Sequence, residues 1–365
     1  MDQDSGRSGL FAQRKPIRQF RIGDRVVGEG QPCFVVAEVG LSHDGSLGTA
    51  HAFVDAVGEA GADAVKFQTH IAEAESTKEE EFRVNVFPQD RTRHDYWRRT
   101  QFTEDQWRNL KAHATEKNLI FLSSPFSLEA VSLLQRIGVQ AWKVGSGEAN
   151  NLPMLEEMAK SGLPILLSTG MSYLAEIDEA VCTIQSRNTP LLLYQCTNRY
   201  PCPPEHIGLN MIQVYRERYQ VPVGFSDHSG EICTGIAAHC LGACSLEVHV
   251  TFHRKCFGPD VPASLTLEEL QQLIASIRFL EMVYSSPTEK DVEAHDLEAV
   301  RSLFNKSVVA RVGIPAGKKL TAADLAFKKP GIGIPAKHYA KVLGKVTVRN
   351  LGRDEFFSWS DLTDA

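Results

Sequence analysis

Two short histidine-bearing segments carry the clearest chemical signal in this 365-residue chain. Ser226-Asp227-His228-Ser229 follows the apolar run Val221 to Phe225, and Glu247-Val248-His249 follows another, Cys244 to Leu246. Imidazole is the commonest metal ligand and titrates near neutrality, so two histidines at the ends of neighbouring strands could hold an ion or move a proton. Similar polar groups follow other apolar runs. They include Glu38 in Glu38-Val39-Gly40-Leu41-Ser42-His43-Asp44-Gly45, Lys66 and Gln68 in Lys66-Phe67-Gln68-Thr69-His70, and Ser123-Ser124-Pro125-Phe126. Lys143-Val144-Gly145-Ser146-Gly147-Glu148, Ser168-Thr169-Gly170-Met171 and Gln195-Cys196-Thr197-Asn198-Arg199-Tyr200-Pro201 continue the series. Lysines, hydroxyls and glycine amides of this kind suit a phosphate or carboxylate. Any one motif has a bland explanation, such as a buried lysine paired with Glu38 or a Gly-Ser-Gly turn. Their repetition at matching positions is what argues for a site.

The elements that would position these groups alternate. Short apolar runs rich in β-formers recur at Cys33 to Val39, Ala64 to Phe67, Ile120 to Ser123, Ala141 to Val144, Pro164 to Leu167, Leu191 to Gln195, Val221 to Phe225 and Ser245 to Val248. Amphipathic helical patterns separate them at Leu47 to Ala60, Glu104 to Glu116, Leu128 to Ile137, Leu152 to Lys160 and Leu174 to Gln185, and Leu267 to Val283 follows the last run. Eight such units predict an α/β fold, a (β/α)8 TIM barrel whose strand C-termini share one rim. The connection from Thr69 to Thr103 is too long, charged and aromatic (Phe82, Phe87, Tyr96, Trp97) for a simple crossover and reads as an active-site loop. The domain expectation is an N-terminal extension over residues 1–30, a barrel over 31–285, a polar linker over 286–302 and a small β-rich domain over 303–365.

Composition sets limits on partners. A net charge of -6 gives no reason to expect nucleic acid or an anionic membrane surface. No apolar run approaches the roughly 20 residues needed to cross a bilayer, and Met1 to Arg18 lacks a signal-type apolar core, which predicts a cytoplasmic protein. Among the eight cysteines, Cys33, Cys182, Cys196, Cys240 and Cys244 lie in apolar segments and no C-x-x-C pair occurs, so buried free thiols are expected.

The series E-x-G-x-x-H-x-G, V-K-x-Q-T-H, S-x-P-F, K-x-G-S-G-E, L-S-T-G-M, C-T-x-x-Y-P, S-D-H, E-x-H and G-P-D closely resembles the sialic acid (nonulosonic acid) synthase family, from about Phe34 to Leu351. The resemblance implies condensation of phosphoenolpyruvate with an N-acyl hexosamine, by default N-acetylmannosamine, to a nine-carbon 2-keto acid. It also implies that the tail is an antifreeze-like (SAF) domain that caps the partner's barrel in a domain-swapped homodimer. The positions matching the family's phosphoenolpyruvate contacts are Lys66, Ser124, Lys143, Ser146, Ser168, Asn198 and Ser226. Those matching the acceptor contacts are Gln68, Glu148, Tyr200 and Asp260, with Lys329 where some relatives place arginine. His228 and His249 are the implied metal ligands. Two imidazoles leave positions for water and sugar, a set that fits Mn2+ best, with Mg2+ or Co2+ as alternatives. Glu38 is the candidate for handling the water that attacks C2 or the developing charge.

Departures from the pattern fall at Ser42, at Val248 and Val250 beside His249, at Val261 after G-P-D, and at Lys329. They predict an altered acceptor end, since lysine cannot reproduce arginine's planar fork. His253, four residues after His249, is read as a solvent-facing loop residue. Rival readings are the same chemistry on a legionaminic-, pseudaminic- or phosphosugar-type acceptor, a Schiff-base aldolase using Lys66 or Lys143, and a non-catalytic sugar-binding protein.

Overall fold

The computed structural model describes residues 18–82, 84 and 89–365; the remaining N-terminal stretch and Phe87 lie outside the described residues. The chain divides into two compact units, Met1–Met282 and Val283–Ala365. The first begins with an antiparallel hairpin, β1 (Gln19–Ile22) and β2 (Arg25–Gly28). Eight parallel strands follow: β3 (Phe34–Gly40), β4 (Ala64–Thr69), β5 (Ile120–Pro125), β6 (Trp142–Val144), β7 (Ile165–Ser168), β8 (Leu191–Gln195), β9 (Val223–Asp227) and β10 (Ser245–Thr251). Their order is β5-β4-β3-β10-β9-β8-β7-β6, with a short β11 (Leu265–Thr266) beside β10. Since β5 and β6 also lie against each other, the sheet is a nearly closed barrel.

The strand pattern has period two on both faces. Val35, Ala37, Val39, Val65, Phe67, Leu167, Leu193, Val248 and Val250 point outward into the core shared with the helices. The inward row changes character along its length. At the N-terminal end Phe34, Val36, Ala64, Ile120, Leu122, Leu166 and Leu192 form a second core, closed from below by Phe20, Ile22 and Val27 of the hairpin. At the C-terminal end the same row becomes Glu38, Lys66, Lys143 and Glu247, all buried. The hairpin was not anticipated in the 1–30 segment, because four-residue strands with two apolar residues each carry little pattern.

Ordinary helix-end chemistry delimits the covering helices. Ser46 accepts the Thr49 amide and Gly61 closes the same helix, Leu47–Ala60, in the left-handed region at φ 84°. Thr103 and Gln106 make a reciprocal cap on Glu104–Glu116. The expected linker instead carries two short helices, Lys290–Asp296 and Glu298–Phe304. Its Lys, Glu and Arg residues are good helix formers, which a polarity argument overlooks.

The second unit pairs β12 (Ser307–Ala310) with β13 (Leu325–Lys328) and β14 (Val346–Thr347) with β15 (Leu362–Thr363) around a core of Val308, Ile314, Leu325, Val342, Leu351 and Phe357. Cys33, Cys196 and Cys244 are buried and free as expected, and so is Cys202, but Cys182 and Cys240 lie on the exposed sides of their helices. Among the described residues no helix is long and apolar enough to cross a membrane.

Candidate active site

Register brings the charged inward residues together. Glu38 stands beside Lys66 on neighbouring strands, His249 beside Glu38, and Glu247 beside Ser226. Lys66 Nζ is 2.5 Å from Glu38 and 3.0 Å from Glu247, and Lys143 Nζ is 3.3 Å from Glu247. Lys143 also donates to Ser168 Oγ at 2.8 Å, and Ser226 Oγ donates to Glu247 at 3.0 Å. All four charges are at most 4% exposed. Burial pulls the Lys66 ammonium down to about 7 against the attraction of Glu247. Burial opposes ionisation of Glu247 as well, yet Lys143 and Lys66 hold its carboxyl well below the ordinary range. Glu247 was assigned no role from sequence. Its partners come from three other strands, so only the barrel's register reveals that it braces both lysines.

Above this floor lie the two histidines. His228 Nδ1 donates to the Thr197 carbonyl at 2.8 Å, which leaves Nε2 as the lone-pair nitrogen facing Tyr200, whose hydroxyl donates to it at 3.0 Å. Burial and the neighbouring His249 lower the His228 imidazole to about 3, so it is neutral. The two rings are 5.4 Å apart between centroids. A neutral, backbone-oriented imidazole beside a second histidine fits a metal ligand. Among the described residues no third His, Cys, Asp or Glu joins them to complete a protein-only cage. Asp227, the residue before His228, faces away from the barrel interior, accepting from the Ser229 amide and hydroxyl.

The rim encloses a cavity of about 400 Å3 lined by Gln68, Ser146, Glu148, Asn198, Tyr200 and Asp260, six of the sequence-predicted contacts. Much of the remaining wall comes from the Thr69 to Thr103 connection, through Glu75, Glu80, Phe82, Val84, Arg93, Tyr96 and Trp97. The connection, expected as a loop, carries the helix Arg93–Thr100, which brings Tyr96 and Trp97 to this wall. His70, also on the wall, was quoted in a motif but given no role. Its ring lies between Trp97 and Phe126, 3.9 Å and 4.4 Å away and nearly parallel to both, with Nδ1 2.6 Å from Glu75 and Nε2 3.3 Å from Gln68. Gln68 in turn donates to Glu38 at 3.3 Å, linking wall to floor.

Two glycines permit this packing. Gly40 has φ 55°, and a side-chain carbon there would meet Glu38 Oε1 at 3.1 Å. At Gly170 the same atom would lie 2.6 Å from Cys196 Sγ and 2.9 Å from Ser146 Oγ, while its amide donates to that hydroxyl.

Of the remaining predicted residues, Ser124 is buried beside Gln68 in the β4–β5 register. Lys329 belongs to the second unit, where its ammonium lies 4.6 Å from the Phe304 ring centroid. His253 is exposed, as expected. Val248 and Val250, the departures beside His249, both belong to the core outside the barrel and not to the cavity wall. Ser42 donates to the Val250 carbonyl at 3.3 Å, and Val261 is buried next to the wall residue Asp260.

Known proteins support the same grouping. The NeuB family profile matches residues 53–289 and the SAF domain profile residues 305–363. An N,N'-diacetyllegionaminic acid synthase of Campylobacter jejuni is 33% identical over 88% of this chain and 97% of its own length. The human N-acetylneuraminate-9-phosphate synthase is 34% identical over 93% of this chain and 95% of its own. A crystal structure of an N-acetylneuraminic acid synthetase from Leptospira borgpetersenii superposes with a TM-score of 0.68 at 29% identity, covering 78% of this chain and 97% of that one. With this barrel, this rim and this tail, the chain belongs to the NeuB family.

Proposed function

We propose that the protein is a nonulosonic acid synthase, joining phosphoenolpyruvate to an N-acyl hexosamine to give a nine-carbon 2-keto acid and phosphate. The observation that carries this reading is the convergence of Lys66, Lys143, Glu38 and Glu247 beside a cavity whose wall residue Tyr200 packs against both His228 and His249. Lys66 and Lys143 hold the anionic cosubstrate with Ser124, Ser146, Ser168, Asn198 and Ser226. Because Glu247 already engages both lysines, the incoming carboxylate or phosphate exchanges with one of its contacts. The enol carbon attacks the open-chain aldehyde, whose oxygen takes up a proton. Water then adds at C2, losing its proton to Glu38, and the tetrahedral carbon expels phosphate with the bridging oxygen. Gln68, Glu148, Tyr200 and Asp260 orient the acceptor. A divalent ion held by His228 and His249, Mn2+ by preference, would polarise the sugar carbonyl when bound. The SAF domain, with Lys329, is proposed to work in a swapped homodimer. Mixing Glu38→Ala and Lys329→Ala subunits should then restore activity above either parent.

The test is phosphate release from phosphoenolpyruvate labelled with 18O at the bridging position, with a panel of N-acyl hexosamines and Mn2+. Acceptor-dependent release that carries the label into phosphate is expected. No release with any acceptor defeats the reading. A Schiff-base aldolase is the second reading, favoured by a Lys66 ammonium near 7. Covalent trapping of pyruvate by borohydride would establish it instead.

A further inference from the structure

The synthase reading leaves open whether the acceptor carries a phosphate, and relatives named for phosphorylated and for unphosphorylated products are about equally similar to this chain. The charges on the cavity wall bear on the question. Four carboxylates line it: Glu75, Glu80, Glu148 and Asp260. Among the described lining residues, all in the first unit, the one arginine is Arg93 and no lysine is present; Lys329 of the second unit, matched to the acceptor end, has its ammonium over the Phe304 ring. Arg93 is already engaged: its Nε lies 3.2 Å from Glu80 Oε1 and its guanidinium stacks 4.9 Å from the Trp97 ring centroid. Glu80 is itself held in place by the Trp97 indole N–H at 2.9 Å. His70 is likewise bound to Glu75. The two buried lysines are matched by Glu38 and Glu247 and serve the other substrate.

Carboxylates can only accept hydrogen bonds when ionised. They suit the hydroxyl and amide donors of a neutral sugar, while Phe82 and Phe126 offer apolar surface to its C–H edges. A phosphate is the reverse case: it brings about -1.5 to -2 charges and nearly pure acceptor capacity, and needs unengaged arginine or lysine. Burial also raises the Glu148 carboxyl, a group that further negative charge would disfavour again.

We infer that the acceptor is an uncharged N-acyl hexosamine and that the wall of Glu75, Glu80, Glu148 and Asp260 rejects its phosphorylated counterpart. Resting as it does on the synthase reading, the inference is tested by two measurements on the full-length chain with Mn2+. One follows phosphoenolpyruvate consumption with N-acyl hexosamines and their 6-phosphates in matched pairs. The other follows calorimetric binding of the same pairs. The unphosphorylated member should be favoured by roughly a hundredfold or more in kcat/KM, because like charges brought together oppose binding strongly. Glu80→Gln, which releases Arg93, should narrow that ratio about tenfold; being a ratio, it is insensitive to general loss of active protein.

Equal or better use of the 6-phosphate overturns the inference and leaves the synthase reading standing. No turnover of either member, but clearly tighter binding of the neutral one, supports the charge inference and overturns the synthase reading. No binding of either overturns both, and an unchanged ratio in Glu80→Gln removes the wall as its cause.

Discussion

The two ends of the barrel interior are built from the same strands and differ completely in chemistry. On β3 the inward row runs Phe34, Val36, Glu38; on β4 it runs Ala64, Lys66, Gln68; on β5 it runs Ile120, Leu122, Ser124. One step of two residues separates an apolar layer sealed by Ile22 and Val27 from a layer of buried charges. Apolar burial at the lower end stabilises the barrel by roughly 25 cal/mol per Å2 removed from water. Charges at the upper end cost desolvation that their mutual attraction only partly offsets. The stable half therefore holds the costly half in position, and its rigidity keeps four charged groups facing one another when no substrate separates them.

The strongest way to break this comparison is to unbalance the charged layer. Glu247→Leu should cost about 3–5 kcal/mol of folding stability, because Lys143 then has no carboxylate opposite it while Lys66 keeps Glu38. Urea midpoints would show it. A neutral result would mean that water or an anion already satisfies Lys143. In the apolar layer, Ile22→Ala should cost about 2–5 kcal/mol by opening a cavity under the barrel. Phosphoenolpyruvate KM in refolded Ile22→Ala should stay within twofold of the parent; a larger change would show that the two layers are energetically coupled.

The same contrast explains what the sequence revealed. Apolar rows and helix faces repeat at fixed periods, and the helices Leu47–Ala60, Glu104–Glu116, Leu128–Ile137, Leu152–Lys160 and Leu174–Gln185 begin and end where the pattern places them. The polar groups at strand ends could be found because each interrupts an apolar run. Their partners could not. The Glu247 contacts with Lys66, Lys143 and Ser226 depend on closure of the sheet, and the His70 sandwich depends on how a long connection folds back. Exposure of Cys182 and Cys240 escaped for a related reason: apolar content identifies a helix but not which side of it a given thiol occupies.

Lys66 sharpens the comparison by titration. Changing it to Met should raise the KM for phosphoenolpyruvate about ten- to a hundredfold, the effect of losing a charge-assisted contact of roughly 1.5–3 kcal/mol, with little change in the KM for the sugar. It should also alter the dependence of stability on pH. The folded protein releases the Lys66 proton near 7, whereas an unfolded chain keeps it to about 10.4. Between those values the unfolded state binds more protons, so this lysine makes stability rise with pH above 7 and withholds that gain below it. Relative to the parent, Lys66→Met should flatten the rise between pH 7 and 9. An identical slope in both proteins would place the lysine's proton outside this range.

The smallest effect is expected where a sequence departure had pointed to the acceptor. Val248 lies one residue from His249, yet alternation along β10 turns it outward, 3% exposed, into the core beneath the helices. Val248→Ala deletes two buried methyl groups and should cost roughly 1.5 kcal/mol at about 0.8 kcal/mol per buried carbon. Its ranking of acceptors should match the parent's. Gln68 and Tyr200, which face inward from β4 and from the segment after β8, should change that ranking when altered. If Val248→Ala shifts acceptor preference while Gln68→Ala does not, then the outer layer reaches the sugar through β10 itself, and separating the barrel into a supporting face and a chemical face fails at the strand that carries His249.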